Sequence, residues 1–468
     1  MTLLTENSLP DIEGIRFPSY RREEITPGII HLGVGNFHRA HQAVYIDELL
    51  SIDPNWGIVG VSMRSAQTRD RLKPQNFLFT VREREDDQQT GRVIGAILDI
   101  LVLNEDQQEI LSLASGDQIS VITLTVTENG YCHTSSGDLD STHPEIKHDL
   151  ANPDNPKSVP GLLVAMLRAR MRAGGAPMTI LSCDNLAGNG EITQSVVTQL
   201  AGLKEPELAR WITNNVAFPN SMVDRIVPRT SDSDIKDYSS LGITDLGLIN
   251  TEVFKQWVIE DRFFGQTPNW KSSGVLLVSQ VRPFEIMKLQ FLNATHTALS
   301  YLGLLCGLSY IHEVMEDGLL RAFARNLMDK EITPVAATPD GIDLDAYKKS
   351  IMTRFSNNAI AYSTAQVATN GSLKLPERIF PALKAHLENG HAPPRLCMVI
   401  AAWLVCISDA KLSGQFSDPI LPVSMKESCQ GQTELIGDLA LNEMLTNKLD
   451  VLVQAIREKG CREVLLSL

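Results

Sequence analysis

GIIHLGVGNFHRAH, Gly28 to His41, is the stretch that decides how the first half of the chain folds. An apolar run enters Gly33 and Gly35 as in the dinucleotide-binding turn G-x-G-x-x-G, but His38 stands where the third glycine belongs. Glycines at such a turn let the backbone bend tightly and approach a pyrophosphate at a helix N-terminus, where negative charge is favoured. Gly33 and Gly35 can do both. The missing third glycine relaxes the packing of helix on strand, which Ala40 partly restores. An ordinary strand-to-helix turn can carry G-x-G as well, so the decision passes to the surrounding sequence.

Working outward, short β-branched runs alternate with helix-length segments: WGIVGVSM, RVIGAILDILV, QISVITLTVTE and PMTILSCDN. Strands that are apolar throughout and spaced in this way predict a parallel sheet covered on both faces, a doubly wound Rossmann-type α/β domain over residues 1–278. From Ser279 onward the pattern turns to helical period, as in EIMKLQFLNATHTALSYLGLL and DGLLRAFARNLMDKEI. Residues 279–468 are therefore expected to form a mostly α-helical substrate-binding domain that shares a cleft with the first, a common place for small-molecule sites.

The 468 residues, 43% hydrophobic and 21% charged, are enough for two such domains. A net charge of -14 argues against a nucleic-acid partner, which needs clustered Lys and Arg. The start, MTLLTENSLPDIEG, lacks the basic-then-apolar layout of a secretory signal. The longest apolar runs, such as CMVIAAWLVCI at Cys397 to Ile407, fall short of the ~20 residues of a membrane helix. The expectation is a cytoplasmic protein with no membrane partner. Seven cysteines, with no C-x-x-C pair and no Cys/His group at zinc spacing, suit a reducing compartment and no metal. Cys306, Cys397 and Cys406 sit in apolar runs and read as core packing.

A second polar constellation lies in VRPFEIMKLQFLNATHTALSYLG, Val281 to Gly303. Glu285 to Lys288 and Asn293 to His296 are i,i+3 steps, but Lys288 to Asn293 is five, so on an α-helix the polar face drifts. One reading is a solvated stripe. The other is a polyol-handling site in which a lysine with pKa lowered by burial acts as general base and amides stabilise the alkoxide. SCDNLAGNG adds Asn185 after a strand, at the edge where open α/β sheets bind ligands. After the second strand come Met63, Arg64 and Ser65, with no acid before Asp70 to grip the ribose, so NAD and NADP both stay open.

These motifs resemble the mannitol dehydrogenase family of long-chain, metal-independent polyol dehydrogenases along nearly the whole chain. The matching stretches are GVGNFHRAHQ at Gly33, TVTENGY at Thr125, SCDNLAGNG at Ser182, FPNSMVDRI at Phe218, QWVIEDRF at Gln256, KLQFLNATHTALSYLG at Lys288 and RFSN at Arg354. The resemblance implies an NAD-dependent secondary-alcohol oxidoreductase, monomeric, whose cofactor site includes Gly33, Gly35, Asn36, Phe37, Arg64, Thr127 and Glu128. By the same resemblance Lys288 is similar to the family's general base, Asn185 and Asn293 to its paired oxyanion amides, and His296 to a substrate-binding histidine. Asp224 is similar to a substrate-side acid, or else is an ion-pair partner of Arg225 or of another structural group; Glu285 connects Lys288 to water, or else is surface.

In TAQVATNGSLKLPER the polyol branch would carry Arg where this chain has Gln366, and Asp where it has Asn370. Gln366 followed by Gly371, Ser372, Lys374, Leu375, Pro376 and Arg378 resembles the hexuronate-reducing branch, and Lys374 and Arg378 would suit a carboxylate. The implied partner is a small sugar acid, fructuronate reduced to mannonate. The alternatives are a neutral polyol, the pair D-mannitol and D-fructose, and more remotely a non-catalytic nucleotide-binding regulator, which would be expected to lose Lys288 or an amide.

Overall fold

The computed structural model describes residues 2–6, 14–85, 88–420, 428–430 and 432–468; residues 7–13, within the opening stretch read for a secretory signal, lie outside them. The chain divides into two units, Met1–Arg282 and Pro283–Leu468.

In the first unit the five β-branched runs become five parallel strands, β1 (Pro27–Leu32), β2 (Gly57–Ser62), β3 (Ile97–Val102), β4 (Val121–Leu124) and β5 (Met178–Ser182), and a sixth that no such run marks, β6 (Val216–Ala217), joins them. Their order across the sheet is β6-β5-β4-β1-β2-β3, the Rossmann order, with the direction of winding reversing between β1 and β4. Leu32, at the end of β1, sits beside Val61 on one side and Leu124 on the other, so the three strands end level. The period of two distributes the side chains. Ile30, Leu32, Val61, Ile122 and Ile180 face one core, with α3 (Leu103–Ser115), α4 (Val159–Ala173) and α5 (Asn189–Lys204). Ile29, Ile58, Ile100, Val121 and Leu181 face the other, with α2 (Gln42–Leu49), which follows α1 (Asn36–Ala40).

RVIGAILDILV, expected as one strand, is two. Gln88–Ile94 belongs to a four-stranded sheet, and the chain turns at Gly95 and Ala96 before entering β3. Asp47 holds that corner: its Oδ1 accepts the Gly95 amide at 2.9 Å and its Oδ2 accepts from Arg92 at 2.8 Å.

The second unit is helical, and among its described residues Tyr310 and Ser363 form an isolated β-bridge rather than a strand. Its centre is α7 (Pro394–Ser408), buried from Leu396 to Ile407 and packed against both α6 (Ala294–Leu305) and α8 (Glu443–Lys459). The run CMVIAAWLVCI is this helix: apolar on every face because every face is covered. Among the described residues no helix is long and apolar enough to cross a membrane.

Candidate active site

The turn after β1 carries the geometry that its glycines suggest. Gly33 has φ +95°, and a Cβ there would collide with Thr125 O of the chain beyond β4. Gly33→Ala is expected to cost about 3 kcal/mol of stability through backbone strain and overpacking, read in a denaturant melt; an unchanged midpoint would refute the tight turn. At Gly35 an added Cβ would meet nothing within 4 Å, and no side chain caps the helix turn that follows. Both glycines line a cavity of about 480 Å³ at the ends of β1, β2 and β4, together with Ser62, Arg64, Thr127 and Gly130. Its size lies in the range of small-molecule sites, and the open backbone at Gly35 fits the close approach of a pyrophosphate.

The other cofactor residues expected from the sequence are placed less evenly. Arg64 lines the cavity with its side chain 84% exposed and lies 3.7 Å from Glu145. Thr127 lines it, whereas Glu128 is exposed and outside the lining. Asn36 Oδ1 accepts from Arg39 at 2.8 Å, and the Phe37 ring stacks on His41 at 5.0 Å, so both side chains serve the turn itself.

His38 does more than relax the packing. Its ring lies flat on His31, centroids 3.3 Å apart, so a stacked pair fills the helix-strand gap that a third glycine would close, and Ala40 is simply buried. His31 is itself fixed by Thr123 Oγ1 at 2.7 Å and Thr125 Oγ1 at 2.9 Å.

Beyond β5, Asn185 is exposed. The neighbouring Asp184 and Asn189, which sequence reasoning passed over although both stand in SCDNLAGNG, are buried and engaged. Asn189 Nδ2 donates to Asp184 O at 3.1 Å and to Ser221 O at 2.8 Å, and its Oδ1 accepts from Ser221 N at 3.0 Å. This side-chain bridge ties the Asn185 loop to the strand Ser221–Asp224, whose last residue is the buried Asp224. Arg225 donates instead to Glu83 at 2.5 Å, Ala40 O at 2.6 Å and Glu252 O at 2.8 Å. No zinc spacing exists in the sequence, yet the fold brings donor atoms of Cys132, His143 and Glu145 within 4.8 Å of one another, one ligand short of a closed structural set.

In the second unit, the solvated-stripe reading fails: Glu285 is 6% and Lys288 8% exposed. The expected drift of the polar face is also corrected. Residues Lys288–Asn293 form a π-helix between the helix Arg282–Met287 and α6. Five α-helical steps would separate Lys288 from Asn293 by about 140° around the axis, whereas i→i+5 bonding brings residues five apart toward one line. Asn293 Oδ1 is buried with no hydrogen-bond partner among the described residues. One turn on, His296 stacks against Phe355 at 4.8 Å and tilts toward Tyr362 at 5.2 Å.

The loop that departs from the polyol pattern packs against this segment. Asn370 adopts φ +61°, a left-handed conformation that Asn tolerates, and starts the helix Gly371–Arg378. Gly371 is required by contact, since a Cβ there would collide with the Tyr301 hydroxyl and lie 2.7 Å from Trp403 Nε1. From this helix Arg378 Nη1 donates to Thr297 Oγ1 at 3.0 Å, one residue beyond His296. Lys374 Nζ donates to Val367 O at 3.2 Å, and Gln366 is exposed.

Comparison with known proteins agrees with this architecture. Residues 27–272 match the mannitol dehydrogenase Rossmann domain and residues 280–459 the mannitol dehydrogenase C-terminal domain. D-mannonate oxidoreductase of Escherichia coli (strain K12) is 37% identical, with 100% of both chains covered. Mannitol 2-dehydrogenase of Cereibacter sphaeroides is also 37% identical, over 96% of this chain and 97% of its own. The structure of Pseudomonas fluorescens mannitol 2-dehydrogenase in ternary complex with NAD and D-mannitol superposes with TM-score 0.87 at 35% identity, covering 100% of this chain and 99% of that one. With both domains matched in order and relatives aligned from end to end, the chain belongs to the mannitol dehydrogenase family of oxidoreductases.

Proposed function

We propose that this protein is an NAD-dependent secondary-alcohol dehydrogenase that interconverts a keto-sugar acid and a hexonate, fructuronate and mannonate. The observation that carries the choice of an acid is Arg378, a guanidinium fixed on Thr297 beside His296 by the helix that Gly371 presses onto Tyr301. An arginine held in this way suits a carboxylate far better than a neutral hydroxyl. The full-length likeness to a D-mannonate oxidoreductase fits this reading, as the equal likeness to a mannitol 2-dehydrogenase fits a neutral polyol, so the choice rests on Arg378.

The bound nicotinamide would supply the hydride acceptor or donor. In this reading Lys288 takes the hydroxyl proton in the oxidative direction and returns it in reduction, with Glu285, buried on the preceding turn, passing it toward water. The Asn185 and Asn293 amides donate to the developing oxyanion. The unfilled acceptor on Asn293 suits a ligand rich in hydroxyls. Asp224 and His296 bind further hydroxyls, and Gln366 and Lys374 complete the acid end.

The test is the absorbance of reduced nicotinamide with fructuronate and fructose, each with NADH and NADPH. Fast turnover with fructuronate and little with fructose is expected, and Arg378→Ala should raise KM for fructuronate by roughly 10- to 100-fold, the loss of a charged hydrogen bond. Preference for fructose would overturn the acid reading in favour of the polyol one; no turnover with either would overturn both. Because no acid follows β2, and Arg64 lines the cavity there, NADPH should also be accepted. Arg64→Ala should reduce NADPH use by about three- to tenfold and NADH use less, since the group is exposed and screened. Equal losses with both would remove Arg64 from that role.

A further inference from the structure

Beyond β4 the chain runs through Thr125, Val126 and Thr127 along the cofactor cavity, and at Thr127 the backbone takes φ +66°, ψ 160°. For a β-branched residue this conformation is strained and persists only where neighbours hold it. The holder is one side chain. Asp184 Oδ2 accepts the Val126 amide at 2.8 Å and Oδ1 accepts the Thr127 amide at 2.9 Å, while the Tyr131 hydroxyl donates to Oδ2 at 2.7 Å. Three donors converge on a carboxylate that is only 9% exposed. From its other side, Asp184 O accepts from Asn189, and the next residue in the chain is Asn185.

We infer that Asp184 is a positioning residue that holds the strained Val126-Thr127 backbone in its cofactor-binding shape and sets that backbone in register with the Asn185 amide. The inference rests on the nicotinamide reading of the cavity. It assigns Asp184 no contact with substrate and no proton. Its carboxylate acts as an acceptor on two backbone amides, a task no other residue type performs here without change: glutamate is one methylene too long for the pocket, and asparagine replaces one acceptor oxygen by an NH₂ that opposes an amide N–H. Burial raises the Asp184 carboxyl above its ordinary range, and the Tyr131 hydroxyl and the two amides, which donate to its charged form, oppose that rise.

The experiment is NADH binding, followed by quenching of protein fluorescence, and steady-state kinetics for the full-length protein and for Asp184→Asn and Tyr131→Phe. For Asp184→Asn, the NADH dissociation constant and KM should rise about ten- to hundredfold, with KM for the keto acid within about threefold of wild type. Tyr131→Phe leaves both amides held and should raise the NADH constant less, about two- to fivefold. A residue that only stabilised the fold would lower the melting temperature and leave NADH affinity of the folded protein unchanged, and that result would overturn the inference. If Asp184→Asn does not fold, Tyr131→Phe decides, with unchanged NADH affinity counting against the role. Failure of the wild-type protein itself to bind NADH would instead overturn the cofactor reading.

Discussion

Replacing Lys288 by alanine is expected to lower kcat by roughly 10²- to 10⁴-fold, the span typical of a lost general base, while NADH still binds at close to wild-type affinity. The expectation starts from position. Lys288 opens a π turn in an otherwise α-helical run, is 8% exposed, and has Glu285 one turn before it and Asn293 five residues after it. A lysine placed there only to stabilise the helix would be poorly chosen, because taking its charged head out of water costs free energy that solvent exposure avoids. The wider turn is costly as well, and π turns inside α-helices occur frequently at functional sites. The measurement is kcat across pH with each variant at saturating NADH, together with direct NADH binding. Retained turnover in Lys288→Ala would remove the lysine from the base role. Loss of NADH binding along with turnover would mean that the substitution damaged the fold instead. Lys288→Arg adds a control: a guanidinium stays protonated at all working pH values, so a positive charge without a removable proton should not restore the rate.

The second large effect is on stability in acid. His31 on β1, His38 on α1 and His41 just after it cluster around the strand-to-helix turn, all fully buried. Burial holds His31 down at about 3 and His41 at about 3, and it pushes His38 well below its usual range, with the charges of His31 and Arg39 adding to the effect. Above the unfolded value of about 6.5, all three are neutral in both states and contribute no pH dependence. Below it the unfolded chain takes up protons that the folded chain refuses, so stability falls as pH falls, by about 1.4 kcal/mol per pH unit for each histidine and about 4 kcal/mol per unit for three. The decline extends toward pH 3, where His31 and His41 begin to protonate in the folded protein. Buried Asp184 and Asp245 work in the opposite direction, since burial raises their carboxyls and the folded state gains those protons first, offsetting part of the loss at lower pH. Denaturant melts from pH 7.5 to 5 should show a steep loss below about 6.5. His38→Phe, which keeps a flat ring on His31, should flatten the slope by about a third. A midpoint that does not move between pH 7 and 5 would sink the argument.

Much of the molecule was legible in its residues because the signals are local. β-Branched runs of strand length, spaced by helices, imply a parallel sheet; Gly33 implies a backbone turn that other residues resist; and the run from Cys397 to Ile407 is too short for a bilayer, which leaves core packing for Cys397 and Cys406. Family motifs along the chain pointed to the family whose models the comparisons match.

What the tertiary structure alone decided involves partners far apart in sequence, or a hydrogen-bond register that side-chain pattern does not encode. RVIGAILDILV reads as one strand because both halves are apolar; in the fold Asp47, taking the Gly95 amide and Arg92, and Arg22, donating to Gly95 O and Ile97 O, hold the corner that divides it. The step of five from Lys288 to Asn293 looks like drift under an α-helical period and becomes alignment only when the chain bonds i→i+5. His38 looked like a gap in a glycine motif until the fold laid it on His31. Asp184 was one acid among many in the sequence, and the Thr127 amide it holds lies 57 residues away. A local pattern specifies which face a residue presents; whether a buried polar group is satisfied depends on which distant group the fold brings to it.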